Sequence, residues 1–448
     1  MTQPVTLPLW AFVLIVLFAA VTFASHFLFP SVRWFFRKRA ERLVARLNTR
    51  LQRPIEPFKL ARRYDMIQRV LYDPVISQAV VDHARENNIP DNVAFEKARG
   101  YAREIVPSFS ATAYFTFGMR FARWLSRMLY RIRLGAFDRD ALEGLDKDAT
   151  VIFVMNHRSN MDYVLVTHLV SRAGALSYAV GEWARVWPLS AIIRAMGAYF
   201  IRRRSRTALY RSILARYVQM ATEGGVTQAM FPEGGLSLTG RVGVPKLGLL
   251  SYIISNYENG GREVIFVPVA LNYDQVIEDR FLIKAGRDGK RRFRPPAWTV
   301  IRSTLTYVWR RLSGQFKGFG TASVAFGTPL ALSSFGRRSD LTEDVAEELM
   351  ARIRTVVPVL AAPLVARAMV HHGAWTRDAL AAALTDMLTQ VEAKNIPLPR
   401  RDVGTLIDDT LARFTIRKLI SEDAGTYRAI NDGEEVLTYY AETIAHHF

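Results

Sequence analysis

Residues Asn156–Tyr163 (NHRSNMDY) set an imidazole, a guanidinium, a hydroxyl, amides and a carboxylate side by side. His157 and Asp162 are five positions apart. On one continuous helix that spacing is about 500°, which would turn the two side chains about 140° away from each other. They meet only if the backbone changes conformation between them. Ser159 and Asn160 are N-cap residue types, and Met161 to Leu169 continues as an apolar helix. The spacing predicts His157 in a strand-to-helix turn and Asp162 in the first helical turn. From there the carboxylate reaches one ring nitrogen and leaves the other free as a base. A polar turn whose Asp merely favours the helix dipole fits the same spacing, so the spacing alone leaves both readings open.

The elements that must position these groups are legible around them. Val151–Met155 (VIFVM) is wholly apolar, which reads as a strand buried on both faces. Strands follow at 177–180, 198–202, 227–231, 264–271 and 322–327, with helices at 186–196, 205–223 and 247–259. This alternation predicts an α/β fold, a mixed, mostly parallel sheet flanked by helices, with helical N- and C-terminal extensions.

Three of these strands end in polar clusters. VIFVM ends at His157. The strand AYFI ends in Arg202, Arg203 and Arg204. The strand TQAMF ends in FPEGGLSLTGR, which carries Glu233, Gly234, Gly235, Ser237 and Arg241. If the strands are parallel, all three clusters share one sheet edge. Each has a use in acyl transfer to an alcohol. His157 takes the hydroxyl proton. Gly234 and Gly235 let backbone N–H groups approach an anion or oxyanion. Arg202, Arg241 and Lys246 hold a phosphate. Glu233 orients a substrate hydroxyl or pins the loop. A single cluster reads equally well as a turn or a solvated surface; three together favour a site. His157, Asp162 and Glu233 are a thin metal-ligand set, so no metal is expected. Ser237 lies in G-L-S-L-T, outside a nucleophile elbow.

Composition narrows the chemistry. There is no cysteine among 448 residues, so no thiolate nucleophile and no disulfide framework. The net charge is +19, which admits nucleic acid, anionic lipid or phosphorylated small molecules. The distribution points to lipid. Leu7–Phe29 holds 23 residues with no Asp, Glu, Lys or Arg, long enough for a transmembrane helix. Between Ser31 and Tyr64 there are 11 Lys or Arg against two Glu, placing the chain beyond Arg33 on the cytoplasmic side. Phe109–Leu134 interleaves aromatics with arginines, which suits a helix in the headgroup layer or a basic face packed on the domain. A basic run at 287–311 is read as an insertion touching anionic lipid. With no recognition motif, nucleic acid is not an expected partner. The expected organisation is a membrane anchor at 1–30, a basic helical region at 31–115, a catalytic domain at 116–335 and a helical region at 336–448. From Leu341 onward the chain reads as helical to its end.

At the quoted residues the chain resembles the membrane-bound glycerol-3-phosphate acyltransferase family, among the glycerolipid acyltransferases. NHRSNMDY is similar to that family's His-x4-Asp (HX4D) block, and GAYFIRR (197–203) to its second. FPEGGLSLTGR with PKLG (245–248) resembles the acceptor loop, and VPVALNYD (267–274) the fourth block. The closing LTYYAETIAH is similar to the end of the family's homology region. The resemblance implies that His157 is the general base and Asp162 its orienting partner. It further implies that Arg202, Glu233, Gly234, Gly235, Ser237, Arg241 and Lys246 bind the acceptor, and that Pro268 and Asn272 lie near the donor. The implied reaction is direct attack of the sn-1 hydroxyl of glycerol 3-phosphate on an acyl thioester, in phospholipid biosynthesis at a bacterial inner membrane. The donor is acyl-CoA or acyl carrier protein, used as co-substrate with no resident cofactor. Leu236 and Leu238 stand where the family has arginines, and Asp274 where it often has Glu. That keeps lysophosphatidate as an alternative acceptor. A non-catalytic protein binding anionic lipid at the membrane is the alternative from another class.

Overall fold

A computed structural model describes residues 8–170, 174–181, 185, 189–202, 207–258, 262–289, 309, 318–336, 340–370, 373–399 and 401–448. Within the helices, the side chains of 20, 21, 23–34, 36, 37, 40, 139, 256 and 258 are also outside the description. The chain divides into two units, Met1–Pro54 and Ile55–Phe448.

The first unit is a single helix, Leu9–Asn48. Its apolar residues from Leu9 to Phe18 are exposed on every face. Among the described residues no helix is long and apolar enough to cross a membrane, so the span expected at Leu7–Phe29 is not borne out there. Much of that stretch carries side chains outside the description.

The second unit is built on a sheet of eight strands: β1 (Arg131–Leu134), β2 (Thr150–Met155), β3 (Ser177–Val180), β4 (Tyr199–Phe200), β5 (Gln228–Met230), β6 (Val264–Tyr273), β7 (Thr321–Phe326) and β8 (Leu330–Ala331). The order is β1-β7-β6-β2-β5-β3-β4, with β8 beside β6. Strands β2, β5, β3 and β4 pair in parallel, as do β2 with β6 and β1 with β7; β6 runs antiparallel to β7 and β8. The expected mixed, mostly parallel sheet is what forms. Its reason is visible in β2, where every residue is buried. Val151, Phe153 and Met155 enter one core, and Ile152 and Val154 the core on the opposite face. The strand period of two thus feeds two cores from one apolar run.

Several expectations change. The helices Arg63–Leu71, Pro74–Glu86 and Asp91–Ile105 pack into the second core with Ala208–Glu223 and Gly248–Glu258. They belong to the same unit as the sheet, as does the C-terminal region, so neither 115/116 nor 335/336 is a boundary between units. The stretch Phe109–Leu134 is helical only in part. Its helix Met119–Leu129 ends before β1, which hydrogen bonding to β7 recruits despite its two arginines. The C-terminal region is not helical throughout. Trp375–Thr376 (β9), Ile420–Asp423 (β10) and Thr426–Ala429 (β11) form a small antiparallel sheet. Ala424 and Gly425, both at positive φ, make the two-residue turn between β10 and β11. These strands are polar, so no apolar alternation announced them. Arg203, Arg204 and nearly all of the 287–311 run lie outside the described residues.

Candidate active site

The turn after β2 is shaped by three groups of hydrogen bonds. Ser159 caps the helix Met161–Val170, its Oγ accepting from the Met161 N–H at 3.1 Å. Asp162, in the first turn, points backward. Its Oδ2 accepts from the N–H groups of Arg158 (2.7 Å) and Ser159 (3.1 Å), and pairs with His157 Nδ1 at 2.9 Å. Tyr273, the last residue of β6, donates its hydroxyl to the remaining oxygen, Oδ1. The conformational change predicted between His157 and Asp162 is the one that brings them together. With Nδ1 held by a carboxylate, Nε2 is the nitrogen left to act as a base.

The imidazole plane is fixed by aromatic packing. Phe231 stacks on it with centroids 3.9 Å apart and planes 24° apart, and Tyr163 meets it edge-on at 5.5 Å. His157 is only 2% exposed and Asp162 fully buried, so the pair operates in a low-dielectric setting. Glu278 supports the turn from outside. It accepts from Ser159 Oγ at 2.8 Å and from the Asn160 N–H at 3.2 Å and side-chain amide at 3.0 Å. Burial raises the Glu278 carboxyl above its ordinary range, against those hydrogen bonds.

The glycine-rich loop after β5 is bolted to the same turn. Glu233 Oε1 accepts from the His157 N–H and Oε2 from the Gly243 N–H, both at 3.0 Å. Of the two roles foreseen for Glu233, pinning the loop is the one its bonds support. Burial raises this carboxyl, and the nearby Arg158 guanidinium opposes the shift. The Ser237 N–H donates to the His157 carbonyl at 2.9 Å, and its hydroxyl to the Arg241 carbonyl at 2.7 Å. Gly234 sits at φ +64, where an added Cβ would lie 2.8 Å from Lys246 Cδ, so the loop needs glycine there on both counts. Its N–H is spent on the Phe231 carbonyl at 3.0 Å and is not offered to an anion. Gly235 follows in the same turn, and the Lys246 stem crosses it beside Gly234.

Two of the expected phosphate cations, Arg202 and Arg241, are paired with carboxylates. Because β2, β5, β3 and β4 are parallel neighbours, Arg202 does emerge on the edge that carries His157. Three strand spacings separate them, about 14 Å. Its guanidinium is held by the buried carboxylate of Glu104, Nη2 to Oε2 at 2.6 Å and Nε to Oε1 at 2.9 Å, which raises its pKa. Arg185 shares the same carboxylate at 2.9 Å. Arg241 is paired with Glu442 of the C-terminal helix Asn431–Glu442.

Two further expected residues are built into the framework. Pro268 is interior to β6, in register with Val154. Asn272 is 1% exposed and holds the Pro358 carbonyl and Thr443 Oγ1 with its amide. Both act as framework in this structure. Tyr273, Glu278, Phe231, Arg158 and the C-terminal helix were missed as site residues. Tyr273 stands inside the VALNYD stretch of the fourth block, but no local pattern marks Glu278 or the distant helix. Among the described residues no group of three or more His, Asp or Glu could hold a metal.

A carboxylate-held histidine at the C-terminal end of a central strand, tied to a glycine loop, is an arrangement able to take a proton from a hydroxyl. Sequence comparison agrees. Residues 138–272 match the acyltransferase family model, and residues 305–448 match the glycerol-3-phosphate acyltransferase C-terminal region. The chain is thus similar to the glycerol-3-phosphate acyltransferases, with an acyltransferase-family segment followed by that C-terminal region. It is 30% identical over 429 residues to the glycerol-3-phosphate acyltransferase of Aeromonas hydrophila, covering 87% of this chain and 50% of that protein. The Shewanella amazonensis protein of the same name is 28% identical over 443 residues, with 90% and 53% covered. The chain thus spans about half the length of the curated relatives it matches. Among solved structures, the 1-acyl-sn-glycerophosphate acyltransferase of Thermotoga maritima aligns with a TM-score of 0.33 at 20% identity, over 54% of this chain and 76% of that one.

Proposed function

We propose that this chain transfers a fatty acyl group from an acyl thioester to the sn-1 hydroxyl of glycerol 3-phosphate, in phospholipid biosynthesis. The observation that carries the reading is the 2.9 Å contact between His157 Nδ1 and Asp162 Oδ2 at the end of β2. His157 Nε2 takes the proton as the acceptor oxygen attacks the thioester carbonyl. Asp162 holds the Nδ1 proton and stabilises the imidazolium that forms. As the tetrahedral intermediate collapses, the C–S bond breaks and the imidazolium returns its proton to the thiolate. The ester C–O bond remains, and the enzyme is never acylated.

Leu236 and Leu238 bear on the acceptor. Both pack against the core, and Leu238 also against Gly286 in the helix Asp279–Arg287. The two leucines are consumed in packing rather than lining a slot for a lipid tail. That supports glycerol 3-phosphate over lysophosphatidate. The donor is acyl-CoA or acyl carrier protein.

The helix Leu9–Asn48 attaches the protein to a membrane, with the catalytic unit on the cytoplasmic side. Its apolar first turns, exposed all round, support this. Extraction of membranes at alkaline pH should leave the full chain in the pellet and release residues 55–448; release of both would remove the anchor.

The central experiment measures thioester consumption by the detergent-purified chain with glycerol 3-phosphate and lysophosphatidate in parallel. Consumption with glycerol 3-phosphate is expected. Consumption with lysophosphatidate only would reassign the acceptor. Silence with both, repeated with an acyl carrier protein donor, would leave a lipid-binding protein.

A further inference from the structure

Arg158 is the largest fully buried side chain among the described residues, 1% exposed, directly after the candidate base. Its Nη2 makes a long 3.4 Å bond to the Thr443 carbonyl. Its Nε and Nη1 have no hydrogen-bond partner among the described residues. Glu233 and Asp162 are near enough to act on it electrostatically, but the oxygens of both carboxylates are taken, by the backbone of His157 and Gly243 and by the His157–Ser159 turn and Tyr273. The hydroxyl of Tyr439, 2% exposed and within electrostatic reach of Arg158, is likewise without a partner among the described residues. A guanidinium stays charged in a protein, and a buried charge with unmade hydrogen bonds is costly unless something pairs with it. Arg158 therefore offers three N–H hydrogens, and Tyr439 one O–H, to an acceptor that the described residues do not supply.

Arg202 and Arg241 are neutralised by Glu104 and Glu442, whereas Arg158 lies in the same turn as His157. The acceptor loop lies directly over Tyr439, since a Cβ at Gly240 would fall 2.0 Å from its carbonyl oxygen. The exposed Arg241–Glu442 pair joins that loop to the C-terminal helix. We propose that Arg158 and Tyr439 form the subsite for the phosphomonoester of the acyl acceptor, reached between this loop and this helix. The C-terminal helix then completes the active site rather than merely covering it. The assignment rests on the acyltransferase reading of the His157 site.

The test has two readouts on the full, detergent-purified chain. Calorimetric titration with glycerol 3-phosphate reads binding without turnover. The ratio of kcat/KM for glycerol 3-phosphate to that for glycerol reads the phosphate's contribution; lysophosphatidate against monoacylglycerol gives the same ratio for a lipid source of the phosphate. Losing charge-assisted bonds to a phosphate, Arg158→Met should weaken binding and lower the ratio by about 100-fold. Tyr439→Phe, which removes a hydroxyl with no partner among the described residues, should lower both by about tenfold. A Tyr439→Phe protein with wild-type binding and ratio would overturn the subsite, even if Arg158→Met fails to fold. Equal losses on phosphorylated and unphosphorylated acceptors in a folded Arg158→Met protein would also overturn it. If the wild type consumes no thioester but binds glycerol 3-phosphate through Arg158, the acyltransferase reading falls and the subsite stands. Failure of the wild type to bind any phosphorylated acceptor overturns the subsite.

Discussion

The ends of β2 and β4 lie on one sheet edge, and both deliver a basic side chain. At β2 the basic side chain is His157, paired with a carboxylate five residues away whose other bonds come from the turn itself and from Tyr273. At β4 the cation is Arg202, paired with Glu104 on the helix Asp91–Ile105, 98 residues earlier. Arg202 also lies over the rings of Tyr101 and Tyr210, 5.2 and 5.7 Å from their centroids. The first arrangement orders a group while leaving one nitrogen to react. The second occupies most of a guanidinium in holding two layers together. A parallel sheet gathers polar strand ends onto one rim, but the partner each side chain finds decides whether it serves chemistry or cohesion.

The contrast breaks first at the base. His157→Ala should lower kcat by about 10²–10⁴-fold while the thermal transition stays near that of the wild type. Retention of most of the activity in thioester consumption would remove the base. At β4 the effect should fall on stability instead. Glu104→Gln leaves Arg202 and Arg185 sharing a neutral amide and should destabilise the fold by about 2–3 kcal/mol. Its effect on kcat should be far smaller than that of His157→Ala. Denaturant titration beside the activity assay checks this, and the reverse pattern would make Glu104 part of the site.

Tyr273→Phe sharpens the comparison more finely. It removes one hydrogen bond to Asp162 and nothing else, so kcat should fall about tenfold with KM for the acceptor unchanged. A change confined to KM would place Tyr273 on the substrate. The smallest effect belongs to the chain terminus. His447 is 3% exposed, and its ring nitrogen Nε2 donates to the Val357 carbonyl at 2.9 Å. Burial lowers its pKa in the folded state. The unfolded chain therefore binds its proton more readily. The stability held by the neutral ring is present above about pH 6.5 and is lost as pH falls toward the lower folded value. His447→Gln should flatten that acid limb of the melting temperature against pH; an unchanged limb would assign it to other groups.

Much of this is legible in the sequence. The β2 strand, its two buried faces and the reunion of His157 with Asp162 all follow from local rules. An apolar run of five, two N-cap residues and a five-residue spacing carry them. What stayed hidden required long-range proximity. Glu278 meets Ser159 across 119 positions, and Glu442 meets Arg241 across 201. The β10–β11 hairpin hid for another reason, since its polar strands bury little and show no alternation. The glycine loop was expected to turn N–H groups toward an anion, yet the Gly234 N–H is spent on Phe231, and of the two roles expected of Glu233 its bonds support the tether.

The sequence by itself determined the strand–helix alternation, the His157–Asp162 turn and the likeness to the glycerol-3-phosphate acyltransferases. Each of these is written in neighbouring residues whose propensities and spacings act within a few turns of chain. The tertiary structure alone decided which cations are spent on carboxylates, which aromatic rings hold the imidazole, and that the C-terminal helix closes over Arg158. Those outcomes depend on pairings between segments far apart in the chain. Only the packing of the sheet and its helices can create them, because hydrogen bonds and ion pairs act over a few ångströms whatever the separation in sequence.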